Sequence, residues 1–155
     1  MTERTAVHGS YTLERHYPAP PPRVFAAWAD PAAKARWFNG TGPGGEPMDM
    51  DFRVGGGERA AGGPYTEGGP VIRYHARYVD IVPDTRIVMA NEMFADDAII
   101  SASVVTVELA AEGKGTRLVL TEQGTHLDGF DSPEHRQKGV VQQLDALTRE
   151  FEGDN

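Results

Sequence analysis

"DSPEHRQKGVVQQLDALTREFEG", residues 131–153, holds the helix that decides the fold. Asp131 or Ser132 suits the cap, Pro133 fits the first turn, and Glu134 complements the positive end of the dipole. Val140, Leu144, Leu147 and Phe151 recur at i, i+4, i+7 and i+11, which makes one apolar stripe; Gln142, Gln143, Arg149 and Glu150 lie off it. Gly153 marks the stop. Such a stripe has to be buried, and the rest of the chain offers it a sheet.

Upstream of the helix the period changes from 3.6 to 2. "TRLVLTEQG" (116–124) points Leu118 and Leu120 inward, and Glu122 shares their parity. "IISASVVTVEL" (99–109) places Ser101, Ser103, Val105, Val107 and Leu109 on one face. "RIVMANEMF" (86–94) does the same for Ile87, Met89, Asn91 and Met93. "VIRYHARYVDIVP" (71–83) is a long strand ended by Pro83 and Asp84, and "AAEGKG" (110–115) is a hairpin turn. Long strands joined by short turns predict an antiparallel meander. "FRVGGGERAAGGPYTEGGP" (52–70) reads as strand, glycine turn, short strand and a further turn.

At the front, "YTLERHY" (11–17) alternates, with Leu13, Arg15 and Tyr17 on one face, and "PAPPP" (18–22) ends it. "RVFAAWA" (23–29) and "AAKARWF" (32–38) form two short helices, the second started by Asp30-Pro31. Next comes "GTGPGGEP" (40–47), a literal G-x-G-x-x-G. A dinucleotide site would need a strand before it and a helix after it. Here a short helix precedes it, the alternating "PMDMDFRVGGG" (47–57) follows it, and Pro43 removes a backbone donor; the glycines are a loop.

The chain of 155 residues suits one domain, 1–155, with a core from about residue 10 to residue 151. It has no Cys, which excludes disulfides and thiolate metal sites. A formal net charge of -8 without a basic cluster argues against nucleic acid; the nearest approach to one is "HRQKG" at 135–139. No apolar run reaches membrane-spanning length and no signal-peptide core is present, so the expectation is a cytoplasmic protein that does not enter a membrane.

The element order and seven short motifs resemble the SRPBCC (START-like, helix-grip) superfamily, and within it the domain related to the heat-shock protein 90 ATPase activator. The motifs are Arg15–Pro20 at the first strand's end, Val24-Phe25, Asp30-Pro31 leading to Trp37-Phe38, Phe52–Gly56, Asp80–Pro83, Val105–Val107 and Gly115–Leu118. The resemblance implies an α+β helix-grip fold: a curved antiparallel sheet of six to seven strands around a long C-terminal helix, with two short helices after the first strand. It further implies a cavity between sheet and helix. Members of the superfamily bind varied hydrophobic ligands or act as cyclases. Two departures replace large aromatics with smaller groups: Gly139-Val140 stands where a Gly-Trp pair is frequent, and Asn91 where a tryptophan is. Both predict a roomier or more polar cavity.

The expected function is binding of a small hydrophobic or amphipathic molecule there, with no metal and no cofactor. The candidate lining is Arg15, Tyr17, Trp37, Phe38, Phe52, Tyr74, Tyr78, Met89, Asn91, Met93, Val105, Leu118, Leu120, Glu122, Val140 and Leu144. The glycine loops within 40–69 would gate it. A cyclase- or hydrolase-type enzyme in the same cavity and a co-chaperone-like protein-binding module are the alternatives. Arg15 with a glutamate is either a structural pair or a ligand clamp, because a buried charge has to be paired. Trp28 has the spacing of a core residue. His75 faces away from Tyr74, and His126 reads as a solvent-facing loop residue after the last strand. Ser101 and Ser103 have no histidine at a readable spacing. An uncovered edge strand is compatible with a homodimer.

Overall fold

The computed structural model describes residues 4–38, 47–64 and 66–153. Strand β1 (Ala6–Tyr17) leads into helices α1 (Pro21–Ala29) and α2 (Pro31–Phe38). Strands β2 (Asp49–Met50), β3 (Gly57–Gly62), β4 (Ile72–Val82), β5 (Arg86–Ala95), β6 (Ala98–Glu112) and β7 (Gly115–Leu127) follow, then helix α3 (Pro133–Leu147) and a 3₁₀ turn (Thr148–Phe151). The strands form one antiparallel sheet in the order β1-β7-β6-β5-β4-β3-β2. This is the α+β helix-grip fold. The glycine stretch of residues 40–47 lies outside the described residues except for Pro47, so its gating role has no structural counterpart here.

The local signals act where the sequence put them. Ser132 Oγ accepts from the His135 amide at 3.1 Å and Pro133 opens α3. Asp30 Oδ2 accepts from the Ala33 amide at 3.0 Å and starts α2. The stripe of α3 turns inward, with Leu144, Leu147 and Phe151 buried against Tyr17, Met89, Val105, Val107, Leu118 and Leu120. Each fully buried aliphatic side chain there contributes about 1.5–3 kcal/mol of transfer free energy.

Three boundaries differ from the sequence reading. The strand expected over 47–57 shrinks to Asp49–Met50, because the chain turns back: the Asp51 amide donates to Gly57 O at 2.7 Å and the Arg53 amide to Asp51 O at 3.0 Å. A Cβ at Gly56 would stand 2.2 Å from Asp51 O, so this turn needs glycine. Phe52 leaves the ladder and packs edge-on against Phe25 and Tyr78, with ring centroids 5.6 and 4.9 Å away. Finally, β7 continues to Leu127 and pairs with a β1 that starts at Ala6, which carries His126 into the sheet.

Candidate functional site

The register assigns faces. On the side toward α3, three rows cross the sheet: Tyr74–Met93–Ser101–His126, Ala76–Asn91–Ser103–Gly124–Gly9, and Tyr78–Met89–Val105–Glu122–Tyr11. The middle row is built of small side chains around one amide. At its β1 end, a Cβ on Gly9 would lie 2.6 Å from Pro133 Cγ, so glycine is what lets the start of α3 approach the sheet.

Two ionic clusters flank Asn91 on this face. The first centres on Glu58, which adjoins Ala76 in the register. Its Oε1 accepts from Lys34 Nζ at 3.0 Å and from the Tyr78 hydroxyl, and its Oε2 from the Tyr74 hydroxyl at 3.1 Å. Lys34 and Glu58 are 1% and 0% exposed, and the ammonium lies 4.7, 5.2 and 4.8 Å from the ring centroids of Trp28, Trp37 and Phe38. Burial lowers the Lys34 pKa, against the pull of Glu58. Burial, then the Glu58 charge, raises those of Tyr74 and Tyr78, so both hydroxyls stay donors.

The second cluster centres on Glu122. Its Oε1 accepts from the Tyr11 hydroxyl, and its Oε2 from Ser103 Oγ at 2.6 Å and Arg136 NH1 at 3.0 Å. Arg136 NH2 also reaches Ser101 Oγ at 2.5 Å and Asp131 Oδ2 at 3.3 Å. His126 Nδ1 stands 3.8 Å from Asp131 Oδ2, beyond hydrogen-bond reach, and burial followed by the Arg136 charge lowers its pKa. The field of Glu122 also acts on Tyr74, which links the clusters.

Between them, Asn91 is 8% exposed and its buried Oδ1 has no hydrogen-bond partner among the described residues. A buried acceptor left unmet costs about 1–3 kcal/mol. Half-buried Met93 shares the face of Asn91 on β5, and half-buried Phe38 stacks obliquely on Tyr74 at 5.1 Å.

The expected lining therefore divides. Tyr17, Met89, Val105, Leu118, Leu120 and Leu144 are packed into the core beneath α3, where Tyr17 donates to Leu144 O at 2.9 Å. Trp37 and Tyr78 are buried too, with Trp37 Nε1 donating to Ala27 O. Phe52 joins the aromatic contact with Phe25 instead of facing Asn91. Tyr74 and Glu122 belong to the two clusters, Phe38 meets Lys34 and Tyr74, Asn91 and Met93 share the same face, and half-buried Val140 packs against the core. Arg15 does not meet Glu122: its guanidinium pairs with Asp145 of α3 at 3.4 Å and is part-exposed, and Glu122 takes Arg136. His126 is a buried strand residue, 5% exposed, and not a loop histidine. The register sets it opposite Ser101, a juxtaposition that sequence spacing hid, yet Ser101 accepts from Arg136 and no bond joins it to His126 among the described residues. No group of three or more His, Asp or Glu among the described residues could hold a metal.

Three residues of these clusters escaped the sequence reading, Glu58, Lys34 and Arg136. Lys34 in "AAKARWF" was not singled out, although Trp37 and Phe38 follow it at i+3 and i+4. Arg136 lies one turn before Val140 on the same stripe.

The sheet's other face carries an open trough of about 1290 Å³, lined by Arg59, His75, Arg77, Ala90, Ala102 and Gln123 among others. Glu58, Ala76, Asn91, Ser103 and Gly124 also line it. Space of that size thus opens away from α3, whereas the sequence placed it beneath the helix.

Residues 18–152 match the family described as Activator of Hsp90 ATPase homolog 1-like protein. The chain is 46% identical to the Mll3558 protein of Rhizobium loti, over 94% of this chain and 99% of that one, with a TM-score of 0.85. An uncharacterized protein of Rhizobium leguminosarum is 40% identical, over 99% and 100%, with a TM-score of 0.87. CalU16 of Micromonospora echinospora, 22% identical over 97% and 86% with a TM-score of 0.62, shares the fold. No curated protein matches the chain. No helix among the described residues is long and apolar enough to cross a membrane.

Proposed function

Because the chain belongs to the family of Activator of Hsp90 ATPase homolog 1-like proteins, we propose that it binds a small amphipathic molecule on the α3 side of its sheet. The apolar body lies against Phe38, Met93 and Val140, and a polar group meets Asn91. The unpartnered, buried Asn91 Oδ1 carries this reading. A ligand donor at that atom would remove a desolvation penalty the protein otherwise bears, while burial of the ligand's apolar surface supplies the affinity.

The test is a thermal-shift screen with lipids and aromatic metabolites, joined to native mass spectrometry of freshly purified protein. A ligand that binds only the folded state raises Tm in a concentration-dependent way. The raised Tm should vanish in Asn91→Leu, which keeps side-chain size and removes the amide. A library without any shift, with no bound mass, ends the proposal.

A cyclase- or hydrolase-type enzyme would need a titratable group within a substrate's reach. Of the perturbed groups, Lys34 is sealed behind three aromatic rings and His126 is buried in the sheet, which favours binding over catalysis. The chaperone-linked reading makes a separate prediction, stimulation of a chaperone ATPase by the purified chain.

A further inference from the structure

The charges around Asn91 do not cancel, and the excess has a sign. Among the described residues, Glu58, Glu122 and Asp131 face two cations, Lys34 and Arg136. Lys34 is committed to Glu58, and Arg136 is shared between Glu122 and Asp131. The third basic group, His126, is held toward its neutral form by burial. Every hydroxyl at the two glutamates is already spent as a donor: Tyr74 and Tyr78 on Glu58, Tyr11 and Ser103 on Glu122. Of the three buried polar atoms without a partner among the described residues, Trp28 Nε1, His126 Nδ1 and Asn91 Oδ1, the last is an acceptor between the two clusters. Adjacent strands lie about 4.8 Å apart, so a group at Asn91 sits one strand from Ser103, whose hydroxyl holds Glu122, and two strands from Glu58.

We propose that the molecule bound at Asn91 is a cationic amphiphile, an amine on an aromatic or aliphatic body. Its ammonium would donate to Asn91 Oδ1 between the carboxylates of Glu58 and Glu122. This rests on the binding reading above and adds the sign of the ligand's charge. A carboxylate there would bring a further negative charge among three acids. A neutral alcohol could satisfy Asn91 and would gain nothing from the field.

The test uses three probes on one indole frame: tryptamine, the neutral alcohol tryptophol, and indole-3-propionate. Their Kd values are measured by isothermal titration on the full chain at pH 7 and low salt. Tryptamine should bind most tightly, with tryptophol intermediate and indole-3-propionate weakest. The gap between the charged probes should be about tenfold or more, since one unit charge about 10 Å away is felt at that level in a partly buried site. Glu122→Gln, which keeps the shape and removes a charge, should narrow that gap. Circular dichroism checks that the variant folds, and the wild-type ranking stands without it. Indole-3-propionate binding as tightly as tryptamine, or more tightly, overturns the charge inference and leaves the binding reading intact. No binding by any of the three removes both.

Discussion

Glu58 and Glu122 are both buried carboxylates that take a cation and two hydroxyls, yet they are held by different kinds of hardware. Glu58 meets one lysine, from α2, inside a ring of Trp28, Trp37 and Phe38. Its charges match one to one, and the pair touches no solvent. Glu122 meets one arginine, from the start of α3, which it shares with Ser101 and Asp131 and whose side chain is 11% exposed. The first cluster is closed and dry. The second is over-acidic, borders water, and adjoins an unpaired amide and a neutral histidine. A closed pair anchors a helix to a sheet. An unbalanced one still has an interaction to offer.

The largest test of this difference is Lys34→Met. It leaves the Glu58 charge buried with two phenols, and we expect a loss of about 3–5 kcal/mol in chemical denaturation. Lys34→Met with Glu58→Leu should regain much of that, since a buried pair is often replaceable by apolar side chains. If the double variant is no more stable than the single one, Glu58 does more than balance Lys34.

The second test uses pH. The folded-state pKa of His126 lies below its ordinary value of 6.5, so the unfolded chain takes up the proton first as pH falls. The stability contributed by the neutral ring is full above pH 6.5 and is lost as pH drops from there toward the folded pKa. His126→Gln should flatten that slope between pH 7 and pH 5, read as Tm against pH. Equal slopes in both proteins would place the acid sensitivity elsewhere.

The smallest expected effect on stability is that of Asn91→Leu, which removes an unmet acceptor. Its change should be within about 1 kcal/mol, and stabilising in sign in ligand-free protein, as replacement of an unpaired polar group allows. A large loss would mean that the amide supports the fold, and the contrast between the two clusters would then weaken.

Much of this interior was legible in the alternation of the strands. Parity alone put Asn91 with Met89 and Glu122 with Leu118 and Leu120, and the stripe Val140–Leu144–Leu147–Phe151 gave the covering helix, although Phe151 falls in the 3₁₀ turn. Partners were not legible, because period fixes a face and leaves register open. Arg15 and Arg136 both had inward parity or stripe position, and only the depth at which α3 crosses the sheet decides that Arg136 reaches Glu122 while Arg15 meets Asp145. Glu58 was hidden for another reason. Its strand is short and bounded by glycine turns, so no alternation long enough to read surrounds it.

Asn91 belongs to the strand row that borders the trough on the far side. Ala102, exposed on that far side and diagonal to Asn91 across the β5–β6 pairing, therefore offers a listening post. A spectroscopic label fixed there would test from the trough side whether a molecule added to the protein perturbs the β5–β6 pairing at Asn91.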